Sequence, residues 1–194
     1  MPIKQGSPNG DIMKVTVFGG AQPMEGSPAY QEAFDLGRLL AQMGHVVMTG
    51  SYIGTMEAVS RGASEAGGYV IGVTCEDIEA WRKVTANAWV KEEIRKKTLI
   101  ERLQVLVEEC DAAMALPGGV GTLVEISLMW NLMVVESMHR RPLILIGEGW
   151  QSVIDQFFHE FEMYMPKNPN EYIQFAADVK TAVKKLESNV LSSP

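Results

Sequence analysis

Short apolar runs rich in β-branched residues alternate along this chain with longer stretches whose apolar positions recur every three to four residues. That is the pattern of strands and amphipathic helices taken in turn. Met13–Phe18 (MKVTVF) reads as the first strand, and a helix is expected from Ala29 to Met43, with Gly44 just past its end. His45–Met48 predicts the second strand, Thr55–Ala66 a helix stopped by Gly67-Gly68, and Tyr69–Thr74 the third strand. Residues 76–93 mix charge with Trp81 and Trp89, show no clear period, and are expected to cross one end of the sheet. A helix follows over Lys96–Glu109, with Leu99, Leu103, Leu106 and Cys110 on one face. Then come a buried strand at Ala112–Leu116, a long helix at Thr122–Met138, a strand at Pro142–Ile146 and a helix at Trp150–Met163. Residues 171–175 suit an edge strand, and Val179–Leu186 a closing helix.

Strands alternating with helices at this spacing predict the α/β class. The expectation is a single Rossmann-like domain over residues 13–187, a mostly parallel sheet with helices on both faces. Residues 1–12, with their Gly, Ser, Pro and Asn, read as a flexible leader, and 188–194 as a flexible tail. A length of 194 residues, 46% hydrophobic and 21% charged, suits one domain with a sizeable core.

A net charge of −7 argues against a nucleic-acid partner, which clustered Lys and Arg would attract. No apolar run reaches the roughly 18 residues of a membrane span, and the polar N-terminus has no signal-like core. The cytoplasm is the expected compartment, with no membrane partner. Cys75 and Cys110 each adjoin a strand-like run and read as small buried thiols. His45, His139 and His159 are scattered, so no metal and no cofactor are expected.

Three glycine-bearing loops follow strands: Gly19-Gly20, Gly50 to Gly54, and Gly118 to Gly121. Ligands of open α/β sheets bind beyond the carboxyl ends of the strands. Glycine lets backbone N–H groups approach an anion there, with the following helix N-terminus adding positive potential. None of the loops matches GxGxxG or a P-loop, so one phosphate fits better than a dinucleotide or ATP. In Pro117-Gly118-Gly119-Val120-Gly121-Thr122-Leu123-Val124-Glu125, Thr122 and Glu125 also have the spacing of a capping box. Glu125 is therefore either a helix-capping side chain or a catalytic carboxylate. Arg102, roughly 60° off the apolar stripe of its helix, is either a solvated arginine or one reaching a pocket.

PGGVGTLVE matches PGGxGTxxE, and the chain resembles the LONELY GUY-type phosphoribohydrolases that carry this signature. Leu99-Ile100-Glu101-Arg102 resembles their MxxR segment, Gly54–Val73 their second loop, helix and third strand, and FGGAQ (Phe18–Gln22) their first loop. Such sequences are sometimes labelled lysine decarboxylase-like, but no lysine here sits in a pyridoxal phosphate motif. The resemblance implies release of the free base from a nucleoside 5′-monophosphate, of the AMP or cytokinin ribotide type, and hence a place in cytokinin biosynthesis. It implies Arg102 and Glu125 as the catalytic pair, with Gly118, Gly119, Gly121 and Thr122 holding the phosphate. Gly19, Gly20, Gly50 and Gly54 join them as nucleotide-binding candidates, and Met56 and Glu57 as candidates for base recognition.

Departures from the family pattern are Leu103 where a lysine is common, Gly50-Ser51-Tyr52 in place of three glycines, and Glu57 in place of a glycine. Glu57 can read a base amino group, or simply favour a helix N-terminus. The helix from Thr122 is apolar nearly all round, which predicts burial on several sides and a homodimer sealed across it at positions such as Met133. A carrier of nucleotide or molybdenum cofactor on the same fold is the alternative reading.

Overall fold

The computed structural model describes residues 12–165 and 171–191. Seven strands form one sheet in the order β4-β3-β2-β1-β5-β6-β7, and every pairing is parallel. The strands are β1 (Lys14–Phe18), β2 (Val46–Thr49), β3 (Val70–Cys75), β4 (Glu92–Lys96), β5 (Ala112–Ala115), β6 (Leu143–Ile146) and β7 (Gln174–Ala176). The helices are α1 (Pro28–Gln42), α2 (Thr55–Glu65), α3 (Glu76–Arg82), α4 (Leu99–Glu108), α5 (Val120–Val134), α6 (Glu148–Glu160) and α7 (Val179–Leu191), and a 3-10 turn spans Glu162–Tyr164.

A parallel sheet needs cover on both faces, and two apolar clusters supply it. Val15 and Val17 of β1 and Ala112 and Met114 of β5 point to one face, against Leu36, Leu40, Val59 and Ala182 of α1, α2 and α7. The alternate positions Phe18, Ala113 and Ala115 point to the other, against Leu106, Ile126, Met129 and Ile154 of α4, α5 and α6. Cys75 and Cys110 are buried thiols.

Several boundaries differ from the sequence expectation. Residues 76–93 contain a helix and the start of edge strand β4, whose EEIRK carries charge where a central strand carries aliphatics. Lys96 ends that strand, so α4 begins only at Leu99. There Thr98 and Glu101 form the capping box. Helix α5 begins two residues early, α6 begins at Glu148, and α7 runs to Leu191, through the first part of the expected tail. The expected leader, apart from Ile12, and the end of the tail lie outside the described residues. Helix α5 is buried along one stripe only; Met133 is 2% exposed in the core, while Leu123 and Val124 face outward. Among the described residues no helix is long and apolar enough to cross a membrane.

Candidate active site

The chain leaves β1 for one edge of the sheet and returns at β5 on its other side, so the switch in strand order lies between neighbours β1 and β5. Phe18 pairs with Ala115 at the carboxyl ends of the two strands. Just beyond, the Gly20 N–H donates to the Pro117 carbonyl at 3.2 Å, and the Gly20 carbonyl accepts from the Thr55 N–H (3.0 Å) and hydroxyl (2.9 Å). One glycine thus ties together the loops after β1, β2 and β5. Gly54 permits this junction: its φ is +73°, and a side chain there would run into the Gly20–Ala21 backbone.

A cavity of about 590 Å³ opens at this junction. Arg102 and Glu125 both line it. Arg102 is only 4% exposed, so it is not a solvated helix arginine. Its Nε donates to the Val73 carbonyl (2.8 Å) and its Nη2 to the Gly50 carbonyl (3.0 Å), and its Cζ lies 5.5 Å from the centre of the Tyr52 ring. Tyr52 is itself fixed, its hydroxyl accepting from the Cys75 N–H (2.8 Å) and donating to the Cys75 carbonyl (3.1 Å). The guanidinium is therefore held along one edge, and its Nη1 is left to face Glu125, 3.9 Å from Oε1.

Glu125 is no capping residue. Gly119, in extended conformation (φ −95°, ψ −154°), precedes the first turn of α5, and no side chain caps that end. Thr122 is the third residue of the helix and Glu125 the sixth, so at i, i+3 they share the face turned to the cavity. Burial pushes the Glu125 carboxyl up to about 7, and the Arg102 charge opposes that rise. Among the described residues nothing hydrogen-bonds to it.

Leu123 is the first residue of α5 whose N–H finds a helical carbonyl, that of Gly119 at 3.0 Å. The amides of Val120, Gly121 and Thr122 have no partner within the helix, which is the usual state of a first turn and a ready anion site. Gly19, Gly20, Gly119, Gly121, Thr122 and Met56 all line the cavity.

The other candidates stand behind its wall. Gly50 backs the arginine, and a side chain there would fall on Nη2. Gly118 lies against the Thr122 hydroxyl and the Gly20 backbone. Gly54 serves the loop junction. Glu57 turns to α1, accepting from the Tyr30 hydroxyl at 3.2 Å. Conversely, the sequence pattern did not single out the α3 residues Asp77, Ile78, Trp81 and Arg82, which form one side of the cavity. Their signal was positional: they directly follow the carboxyl end of β3.

The model of the SLOG cluster4 family matches residues 12–173. The chain belongs to the SLOG cluster4 family. This SLOG cluster4 protein is 31% identical over 138 residues to a cytokinin riboside 5′-monophosphate phosphoribohydrolase of Rhodococcoides fascians, covering 70% of this chain and 68% of that one. An Arabidopsis thaliana protein of the same description is 29% identical over 180 residues, covering 90% of this chain and 81% of its own. Among solved structures, the molybdenum cofactor binding protein of Rippkaea orientalis superposes with a TM-score of 0.72 at 24% identity, over 93% of this chain and 98% of that one. At that identity the likeness is one of fold.

Proposed function

We propose that this SLOG cluster4 protein hydrolyses the N-glycosidic bond of a nucleoside 5′-monophosphate, releasing the free base and ribose 5-phosphate. The observation that carries the reading is the buried Arg102–Glu125 pair, open to a cavity, with Glu125 about one and a half helical turns from the uncapped α5 N-terminus. Departure of the base builds positive charge on the ribose ring, as in glycosidases. The Glu125 carboxylate stabilises that charge and takes a proton from the attacking water. Arg102 fixes ribose or phosphate oxygens through Nη1. The amides of Val120 to Thr122, with Gly19 and Gly20 opposite, hold the phosphate. The two relatives named as phosphoribohydrolases support the same chemistry.

The test is a chromatographic assay of base release from adenosine, AMP, ADP and ATP. Binding energy of the remote phosphate is expected to appear in the rate, so that AMP reacts far faster than adenosine even at saturation. Equal cleavage of adenosine and AMP overturns the phosphate anchor. Tight binding of a nucleotide without cleavage points instead to a carrier.

The same reading includes a homodimer. Leu123 of α5, Val153 and Phe157 of α6 and Phe161 just past its end are exposed, and Trp130 packs edge-on against Phe157 (6.2 Å) and Phe158 (5.5 Å) between those helices. Apolar surface of this kind marks an interface. A monomer by light scattering at micromolar concentration overturns it.

A further inference from the structure

Helix α3 buries none of its side chains in the core. A helix normally turns its apolar face to the core. Here Ile78 and Trp81, three apart and so on one face, line the cavity instead, and Trp81 is 74% exposed. Leu99 and Leu103 of α4 and Val120 and Val124 of α5 complete an apolar lining, alongside the charged pair Arg102 and Glu125.

The helix is fixed although its side chains are not buried. The Asp77 carboxylate accepts from the Leu99 N–H at 2.9 Å, and Glu79 pairs with Arg95 at 2.5 Å. Lys83, in left-handed conformation (φ 53°), ends it. The Arg82 guanidinium lies 4.8 Å from the centre of the Trp81 ring, which occupies one face of the indole and leaves the other for a second planar group.

We propose that Trp81 is the base-stacking residue of this site, with the base of a nucleoside monophosphate lying on the indole face that Arg82 leaves free. The proposal rests on the nucleotide reading above and deepens it. Stacking grows with the aromatic area in contact, so the site selects purine over pyrimidine monophosphates through this side chain. Ribose 5-phosphate, which has no base, gains nothing from it. A volume of about 590 Å³ falls within the range of small-ligand sites and leaves room for a mononucleotide.

The experiment is calorimetric titration of AMP, UMP and ribose 5-phosphate into proteins carrying Trp81, W81F or W81A. All three carry E125Q so that turnover is slow on the timescale of the titration, and base release is assayed separately with Glu125 intact. With W81A, AMP affinity is expected to fall about 5- to 100-fold and UMP affinity less. W81F is expected to recover most of the loss, and ribose 5-phosphate to bind all three proteins alike. AMP affinity unchanged in W81A overturns the proposal, as does an equal loss for ribose 5-phosphate, which would make the role structural. If AMP binds in a Trp81-dependent way but the wild type releases no base, stacking stands and the hydrolase reading falls. If the wild type releases base and W81A binds AMP normally, the hydrolase reading stands and stacking falls. No nucleotide binding in any protein overturns both.

Discussion

Arg102 Nη1 stands 3.9 Å from Glu125 Oε1, with both side chains buried and no hydrogen bond between them. A closed bidentate pair would satisfy both groups. The gap instead leaves each with unused capacity on the side of the cavity. Carbonyls of Val73 and Gly50 hold the arginine where it is, so the pair does not depend on Glu125 for its geometry.

Glu125→Gln keeps the shape of the side chain and removes its charge. Base release is expected to fall roughly 10²- to 10⁴-fold, the range for a general acid–base group, while AMP affinity stays near that of the wild type. Steady-state kinetics and calorimetry on the same preparations separate the two. Near-normal turnover in this variant would sink the assigned role.

The same substitution has a consequence for stability. The folded-state pKa of about 7 lies above the ordinary 4.5, so between those values the folded protein binds more protons than the unfolded chain. Glu125 therefore favours folding when protonated, and that contribution is lost as pH rises through 7. Glu125→Gln is expected to match the wild type near pH 4.5 and to exceed it above pH 7, by up to about 3 kcal/mol. Urea unfolding at the two pH values measures the difference; a variant less stable at pH 8 would contradict it.

Much of the fold was readable because β1, β2, β3, β5 and β6 are nearly continuous apolar runs and α1, α2 and α4 keep a helical period. Strand β4 was not readable, since Glu92-Glu93-Ile94-Arg95-Lys96 has the charge of a protected sheet edge. Helix α3 escaped because Ile78 and Trp81 face a cavity and leave no buried stripe. Thr122 and Glu125 have capping-box spacing by sequence, yet it is Gly119 that precedes the first turn of α5, which places both inside the helix. Glycine spacing likewise marked the loops without separating residues that meet a ligand from residues that make room for neighbouring side chains, which depends on long-range contacts such as that of Gly50 with Arg102.

Gly118 and Gly119 put that distinction to the test. A side chain on Gly118 would press on Thr122 and on the Gly20 backbone, whereas one on Gly119 meets nothing within 4 Å and its φ of −95° suits any residue. Gly118→Ala is expected to cost about 1–3 kcal/mol of stability through overpacking. Gly119→Ala is expected to leave thermal stability within about 0.5 kcal/mol and to raise KM for AMP by crowding the phosphate position. Parallel thermal melts and kinetics read both; equal melting of the two variants would refute the assignment.

Met133 belongs to the core, so a charge there would unfold the protomer and say nothing about assembly. Leu123 of α5 is the informative position. Leu123→Glu is expected to yield folded monomers, with unchanged circular dichroism and half the wild-type mass by light scattering, because an unpaired charge at a packed interface is costly. A dimeric Leu123→Glu protein would place the interface elsewhere.

Gly20 gives the rim of the cavity an unusual mechanical property. Its amide binds the loop after β5 and its carbonyl the start of α2. Freeing any one of the three glycine loops therefore means breaking bonds to another. Loops tied in this way open together rather than singly, which lowers the share of a small molecule's affinity lost in gathering loose segments.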